Sequence, residues 1–302
     1  MGRNFSSKKN RNIGAASLAA IVISILIYLS NFGIPGPSAL NRNGNVYNQE
    51  VKGLRVSIID VWQGDSILVQ CNGETMLIDA GKNNEGSKVV DYLAKSGIKK
   101  LDVVVGTHPH EDHIGGLDQV IDSFDIGKVI MPETSNNTKS FESVLDSIDR
   151  KGLKINGAVS GQTFKLGGAE IIVLGPVKNN YEDLNDNSVV LKLIYGKRSF
   201  LFAGDAGFVA ESDIINSGVD LKADVLKVGH HGSKYSTSME YLSLVNPKYG
   251  AISVGDGNDY KHPADDTLKR LIESGVEIYR TDKNGTIVFT SDGDNLNIGT
   301  EK

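Results

Sequence analysis

From residue 54 onward the apolar residues fall into short runs bounded by Gly, Asn, Asp and Pro, the pattern of β-strands closed by tight turns. The runs are "LRVSIIDV", "SILVQC", "TMLIDA", "LDVVVGT", "KVIMP", "AEIIVLG", "SVVLKLIYG", "RSFLFAGD", "ADVLKVG", "YGAISVG" and "GTIVFTS". Helix-like stretches lie between some of them: "GSKVVDYLAKSG", "GGLDQVIDSF", "KSFESVLDSIDRKG", "GFVAESDIINSG", "TSMEYLSLV" and "DDTLKRLIESG". The first strands follow one another directly, as a meander, and only later do helices alternate with strands. This mixture predicts a layered α/β architecture in which helices cover large sheets. The chain has no internal repeat, so residues 54–302 read as one domain.

One earlier run has a different character. Residues 13–30, "IGAASLAAIVISILIYLS", carry no charge. As a helix they span roughly 27 Å, close to the hydrocarbon thickness of a bilayer. Arg3, Lys8, Lys9 and Arg11 precede the run, and no charge follows it closely. Positive charge on that side predicts a cytoplasmic tail at residues 1–12, a single-pass transmembrane signal-anchor at 13–30, and everything after it outside the cell membrane. A cleaved signal peptide, giving a secreted form, is the rival reading. No A-x-A site follows the apolar run, which favours the uncleaved anchor. Residues 31–53, which begin "NFGIPGPSALNRNGNVYN", are rich in Gly, Pro and Asn and read as a linker.

Composition changes this picture little. With 302 residues, 39% of them hydrophobic, the chain can bury a sizeable core, and 34 glycines imply many tight turns. Cys71 is the single cysteine, which excludes an internal disulfide. The net charge is −5, but the four N-terminal cations leave −9 on the remainder. So acidic a body argues against general nucleic-acid binding, which needs Lys and Arg to neutralise phosphate. A local basic groove is compatible with it.

The chemistry concentrates at strand ends. After "LDVVVGT" comes "GTHPHEDHIGG", residues 106–116, which holds three of the six histidines. His108 and His110 are two apart and project to the same side of an extended segment. Asp112 and His113 follow as the chain turns toward a helix, where Gly115 and Gly116 allow close backbone approach. Imidazole and carboxylate at this density suit a divalent zinc, iron or manganese ion better than a solvated polar loop. The other histidines also follow strands, His230 and His231 in "LKVGHHGSKYSTS" and His262 in "GDGNDYKHP". At least one of His230 and His231 is expected to bind metal. Asp205 ends the strand "FLFAGD", where capping the next helix is its competing role.

Together these motifs resemble the metallo-β-lactamase fold superfamily, with "LIDAG" at 77–81 as its first motif. A closer resemblance, over residues 54–293, is to the C-terminal hydrolase domain of the ComEC family of competence proteins. It is carried in order by "DVWQGDSILV", "THPHEDHIGGL", "NDNSVVLKL", "LFAGD", "LKVGHHGSKYSTS", "ISVGDGNDYKHP" and "RTDKNGTIVFTSDG". The resemblance implies a four-layer αββα sandwich with the site at one edge of the two sheets. It implies two divalent metal ions, zinc or manganese, that activate water. His108 and His110 would hold one ion, Asp112, His113 and one of His230 and His231 the other, and Asp205 would bridge them. Asp112 would also orient the attacking water, and His262 would contact phosphate or protonate a leaving oxygen. Asp79 would buttress the metal loop, Asp65 would support the site through a hydrogen bond, and Asn258 and Tyr260 accompany His262 in its motif. The superfamily's usual further histidine is missing, because none lies between 113 and 230. "NDNS", 185–188, falls at that place, so Asp186 or Asn187 is the expected substitute, an oxygen donor that favours manganese. A plain turn is the other reading of these four residues.

The expected function is an extracytoplasmic, membrane-anchored, metal-dependent hydrolase, and more narrowly a phosphodiesterase. The ComEC resemblance implies DNA as a substrate, through degradation of the strand not taken up. That family's multi-helix channel has no counterpart in this sequence, so uptake itself is not expected. Cell-wall teichoic acids and phosphorylcholine esters are other candidate substrates outside a membrane. The missing histidine and the doubled "HHGS" argue against β-lactam hydrolysis. A non-catalytic, metal-bearing surface module is the alternative, and the full set of main ligands argues against it.

Overall fold

The computed structural model describes residues 52–302. The expected tail and anchor, and all but the last two residues of the expected linker, lie outside the described residues. Among the described residues no helix is long and apolar enough to cross a membrane.

The fold opens with β1 (Leu54–Ile58), β2 (Ile67–Cys71) and β3 (Glu74–Ile78), an antiparallel meander. Asn72 and Gly73, both at positive φ, close the β2–β3 hairpin in the turn that matches strand twist. Each later strand of this half is reached through helix. The helix α1 (Gly86–Lys95) leads to β4 (Lys100–Val105), the single turn α2 (Glu111–Ile114) and α3 (Leu117–Ser123) lead to β5 (Asp125–Met131), and α4 (Lys139–Arg150) leads to β6 (Ile155–Gly157). These strands pair in parallel.

The second half repeats the scheme. A meander of β7 (Thr163–Leu166), β8 (Ala169–Gly175), β9 (Val190–Tyr195) and β10 (Arg198–Phe202) comes first. Parallel strands follow through helices: α5 (Phe208–Asn216) to β11 (Val225–Lys227), α6 (Met239–Val245) to β12 (Tyr249–Ile252), α7 (Asp265–Glu273) to β13 (Glu277–Arg280). The last two strands, β14 (Ile287–Ser291) and β15 (Leu296–Thr300), return to the first sheet, with β14 antiparallel to β1. The sheets therefore run β15-β14-β1-β2-β3-β4-β5-β6 and β13-β12-β11-β10-β9-β8-β7.

Side-chain alternation builds the layers. Leu54, Val56 and Ile58 of β1 and Ile67, Val69 and Cys71 of β2 enter the core between the sheets, with Phe200 and Phe202 from the opposite sheet. Leu68 and Leu77 face the other way, onto Val89 and Leu93 of α1, Leu117 and Val120 of α3 and Val144 of α4. On the second sheet Leu201 and Leu226 meet Ile214 of α5, Leu242 of α6 and Leu271 of α7. The order is helix, sheet, sheet, helix.

All eleven strand-like runs form strands, and the six helix-like stretches form helices. The four strands that the apolar pattern does not reveal, β6, β7, β13 and β15, are the four edges of the two sheets. Edge strands keep polar residues such as Asn156, Lys165, Glu277 and Asn297 among their few apolar ones, so no clean run marks them.

Strand direction decides where function sits. In both sheets the parallel strands deliver their carboxyl ends to one edge of the sandwich, the usual position of ligand sites in α/β folds. Asp79 follows β3, the His108–His113 segment follows β4, Asp205 follows β10, His230 and His231 follow β11, and the His262 loop follows β12.

Gly115 and Gly116 let the segment after β4 pack against the β3 end. A Cβ on Gly116 would lie 2.4 Å from the Ala80 carbonyl oxygen and 2.6 Å from the Gly86 Cα. Gly116→Ala is therefore expected to force this segment outward and to cost about 2–3 kcal/mol. Denaturant unfolding reads the effect, and an unchanged midpoint would show that the packing has slack.

Candidate metal centre

After β4 the chain stays extended through His110 (φ −79°, ψ 147°) and then coils into α2, which turns Asp112 and His113 inward. Asp79 adopts left-handed backbone (φ 58°), an uncommon conformation for a residue with a side chain. Its carboxylate accepts from the Thr107 N–H (2.8 Å) and the Thr107 hydroxyl (2.7 Å). It also lies 2.8 Å from His113 Nδ1. One carboxylate thus holds both the loop backbone and the His113 ring, and leaves Nε2 of that ring facing the site.

The donors converge from three strand ends, those of β4, β10 and β11. His113 Nε2 lies 3.2 Å from His231 Nε2 and 3.2 Å from Asp205 Oδ2. His231 Nε2 lies 3.4 Å from Asp112 Oδ2 and 3.5 Å from Asp205 Oδ2. His108 Nε2 is 3.9 Å from Asp205 Oδ2 and 3.1 Å from His110 Nδ1. His108, His113 and Asp205 form one group, and Asp112, His113 and His231 another, each with donor atoms within 4.8 Å of one another.

These residues fit a divalent cation. The other nitrogens of His113 and His231 are occupied, by Asp79 at 2.8 Å and by the Ser253 carbonyl at 3.0 Å, so two Nε2 atoms face each other across 3.2 Å. Asp205 Oδ1 is buried and accepts no hydrogen bond. Bare acceptors in a dry site cost free energy unless a cation sits among them. The electrostatics agree. Burial works against a charged His231, but Asp205, Asp112 and Asp65 outweigh it and push the ring up to about 10. Burial also works to raise the Asp112 carboxyl, and His231 and His113 more than reverse it. Nitrogen and oxygen donors suit zinc or manganese.

The geometry separates His230 from His231, which the sequence alone does not. Both take left-handed backbone (φ 47° and 52°), which sends their rings apart. His231 is buried among the donors. His230 is half-buried, with Nε2 3.7 Å from Asp205 Oδ2 and its ring centroid 5.6 Å from that of His262. Two residues without a sequence signal hold this strained segment. The buried Glu211 carboxylate accepts from the Thr237 and Ser238 N–H groups, and Arg270 donates to the Ser236 and Thr237 carbonyls at 2.9 Å each. Ser236 closes the loop by donating to the Gly229 carbonyl at 2.8 Å.

The place of the missing histidine is filled differently from the expectation. Asp186 is not among the grouped donors; its Oδ1 accepts from the Gly207 (2.8 Å) and Ala210 (3.4 Å) N–H groups at the start of α5. A carboxylate there serves the free N–H groups of the helix. Asn187 is turned into its own loop, bonded to Tyr181 and Asp183. Their neighbours reach the site instead. Asn185 Oδ1 lies 3.0 Å from His110 Nδ1, and Ser188 Oγ lies 3.4 Å from His108 Nδ1 while accepting from the Asp205 N–H. Leu184–Asn187 form a single 3₁₀ turn, which sends successive side chains in different directions. The two aspartates thus divide their roles: Asp205 joins the donors and Asp186 serves the helix.

Asp65 is buried, 2.7 Å from Lys227 Nζ and 3.4 Å from His231 Nδ1. The one sequence signal for Lys227 is a lysine inside the apolar run "ADVLKVG". His262 lines the cleft, and Asn258 holds its loop by donating to the His262 carbonyl (2.7 Å) and accepting from its N–H (3.0 Å). Tyr260 is exposed and stacks on the His262 ring at 5.7 Å. Burial first, then His231 and His230, push the His262 imidazole down to about 4. A ring with its pKa lowered in this way favours the neutral form, which can bond an oxygen. The cleft above the donors measures about 390 Å³ and is open to solvent.

Two facing sheets between helices, with histidines and aspartates gathered at one edge, define the class of metal-dependent hydrolases. The chain belongs to the metallo-beta-lactamase superfamily, whose pattern matches residues 59–256. Its relatives include ComE operon protein 3 of Bacillus subtilis (32% identical over 252 residues) and Competence protein ComA of Neisseria gonorrhoeae (28% over 236 residues). Both are ComEC-family proteins, in line with the seven motifs. Each match covers 78% of this chain and 32% of the relative, so the chain spans about a third of their length. Among solved structures, the metallo-beta-lactamase fold protein YhfI from Bacillus subtilis shares the fold. Its TM-score is 0.52 at 13% identity, covering 82% of this chain and 100% of that one.

Because the surrounding carboxylates favour a proton on His231, which a metal would have to displace, metal affinity is expected to rise with pH. Zinc competition titrations at pH 6 and pH 8 should show tighter binding at the higher pH. Asp79→Asn, which loosens His113, should weaken zinc by about 10–100-fold at either pH. Equal affinity at the two pH values, or in the variant, would contradict this account of the site.

Proposed function

We propose that the protein is a metal-dependent phosphodiesterase working outside the cell membrane, held there by residues 13–30, with a nucleic-acid strand as its substrate. The observation that carries this reading is the donor set itself. His108, His113, His231, Asp112 and Asp205 meet at the base of a cleft that Asp112, Asp205 and His231 line, and the buried Asp205 Oδ1 accepts no hydrogen bond. The kinship with proteins named for competence supports DNA as the substrate class.

Zinc or manganese ions bound here would supply Lewis acidity and a reactive water near neutral pH. The chain's own residues do the rest. Asp205 Oδ2 stands within 3.9 Å of His108, His113 and His231, where it would hold a cation shared with these rings. His110, with Asn185 beside it, would add a ligand on the His108 side, and Asp112 with His231 on the other. Asp112 stays ionised and lines the cleft, where it would orient an attacking water by accepting a hydrogen bond from it. His262 and Tyr260 stand on the wall formed by the loop after β12, where the neutral imidazole bonds a phosphate oxygen.

The full chain, loaded with Mn²⁺ or Zn²⁺, is expected to cleave bis-p-nitrophenyl phosphate and DNA and to leave nitrocefin intact. A glycerophosphate polymer in the same panel tests the teichoic-acid alternative. Asp205→Ala should lower the rate by at least about 100-fold. Absence of turnover on every ester in metal-loaded protein would leave the non-catalytic surface module instead. For topology, protease added to intact cells should remove the domain; complete protection, with digestion after lysis, would place it inside.

A further inference from the structure

Lys82 lies between β3 and α1, and its ammonium sits 5.0 Å from the centroid of the Trp62 ring. Among the described residues this ammonium has the indole face and no carboxylate partner. It is also the one Lys or Arg side chain lining the cleft, whose other charged residues include Glu111, Asp112 and Asp205. An anion entering the cleft therefore meets one ammonium at its rim, set among three acids and four histidines.

The platform beneath Lys82 is built at a cost. Trp62 takes left-handed backbone (φ 59°), which is strained for a bulky residue. Its Nε1 donates to the Asp256 carbonyl at 3.2 Å, across the sandwich in the loop that carries His262. Gly255 lies flat against the ring, since a Cβ there would come within 2.7–2.8 Å of three indole atoms. Yet Trp62 remains 41% exposed, so core packing does not account for the strain. What the arrangement achieves is an aromatic face fixed at the cleft rim, with an ammonium resting on it. Cation–π attraction is weak at an exposed site, and a phosphate oxygen is the stronger partner.

We propose that Lys82 is a substrate-binding residue that selects anionic esters: it leaves the face of Trp62 to take a non-bridging oxygen of a phosphodiester lying over the donor set. This deepens the phosphodiesterase reading and rests on it. Trp62 is the positioning residue that keeps the ammonium poised at the rim and away from the acids of the cleft.

Trp62 is the sole tryptophan of the chain, so its emission reports directly on Lys82. Titrating the zinc-loaded full chain with inorganic phosphate is expected to change that emission. Lys82→Met should abolish the change and weaken phosphate binding, measured by calorimetry, about tenfold, while Lys82→Arg retains both. With bis-p-nitrophenyl phosphate, Lys82→Met should raise KM about tenfold and keep kcat within about twofold, the signature of lost ground-state binding. Its neutral methyl triester should be cleaved equally by wild type and variant. Unchanged phosphate affinity in Lys82→Met, or equal losses on the diester and the triester, would overturn the proposal. Wild-type protein that binds phosphate through Lys82 but cleaves neither ester would overturn the phosphodiesterase reading and leave the anion site standing.

Discussion

The buried ion pair between Asp65 and Lys227 joins the two sheets at the edge where the site is built. Lys227 ends β11 of the second sheet, Asp65 lies in the β1–β2 connection of the first, and the two meet at 2.7 Å with almost no exposure. Burial alone would raise the Asp65 carboxyl, but Lys227 and His231 hold it well below the usual range. Removing either partner would strand the other charge in a dry interior, which is among the costliest single changes a fold can suffer. The backbone of the same aspartate is tied down as well. Its N–H donates to the Asp112 carbonyl and its carbonyl accepts from Gly81 N–H. Gly64 beside it leaves no room for a side chain, since a Cβ would lie 2.3 Å from the Asp112 carbonyl oxygen. Asp65 is therefore a knot between the β1–β2 loop, the β3 end, α2 and β11.

Everything the site does depends on that knot, because its donors are split between the sheets. His108, Asp112 and His113 belong to the first sheet, Asp205 and His231 to the second, and they must meet within a few tenths of an ångström to share a cation. The same edge collects the strained backbone: Trp62, Asp79, His230 and His231 all sit at positive φ. Each is over-determined by bonds from elsewhere. Asp79 is fixed by Thr107, the His230–His231 segment by Glu211 and Arg270, and Trp62 by Asp256. Strain concentrated in this way belongs to a functional edge rather than to a packing defect.

The main donors were legible in sequence because their chemistry is rare and local. A histidine or aspartate directly after an apolar strand has few structural uses, and the pattern of strands was strong enough to show where those ends lie. Of the residues that support the donors, Asp79 and Asp65 were expected from the family resemblance, and the others were not legible. Lys227, Glu211, Arg270 and Asn185 act on partners distant in sequence, and each looks ordinary in its own segment. Asp186 shows the limit most sharply. It sits one residue from Asn185, which reaches His110, yet a 3₁₀ turn directs its carboxylate to the start of α5. The edge strands escaped for a related reason, since they lack the two-sided burial that writes an apolar run.

The two halves of the site are unequally built, and the missing histidine is only part of the cause. In the Asp112–His113–His231 half, each ring has its second nitrogen on a strong acceptor, the Asp79 carboxylate or the Ser253 carbonyl. Such acceptors fix the tautomer and enrich the facing nitrogen. In the other half His108 Nδ1 has only the hydroxyls of Thr107 (3.2 Å) and Ser188 (3.4 Å) beside it, and His110 Nδ1 has the Asn185 amide oxygen at 3.0 Å. Hydroxyls and amides polarise a ring less than carboxylates do. The Asp112–His113–His231 half is therefore the better prepared of the two to hold a cation. The His108–His110 half, with no carboxylate behind either ring, is the less strongly prepared one.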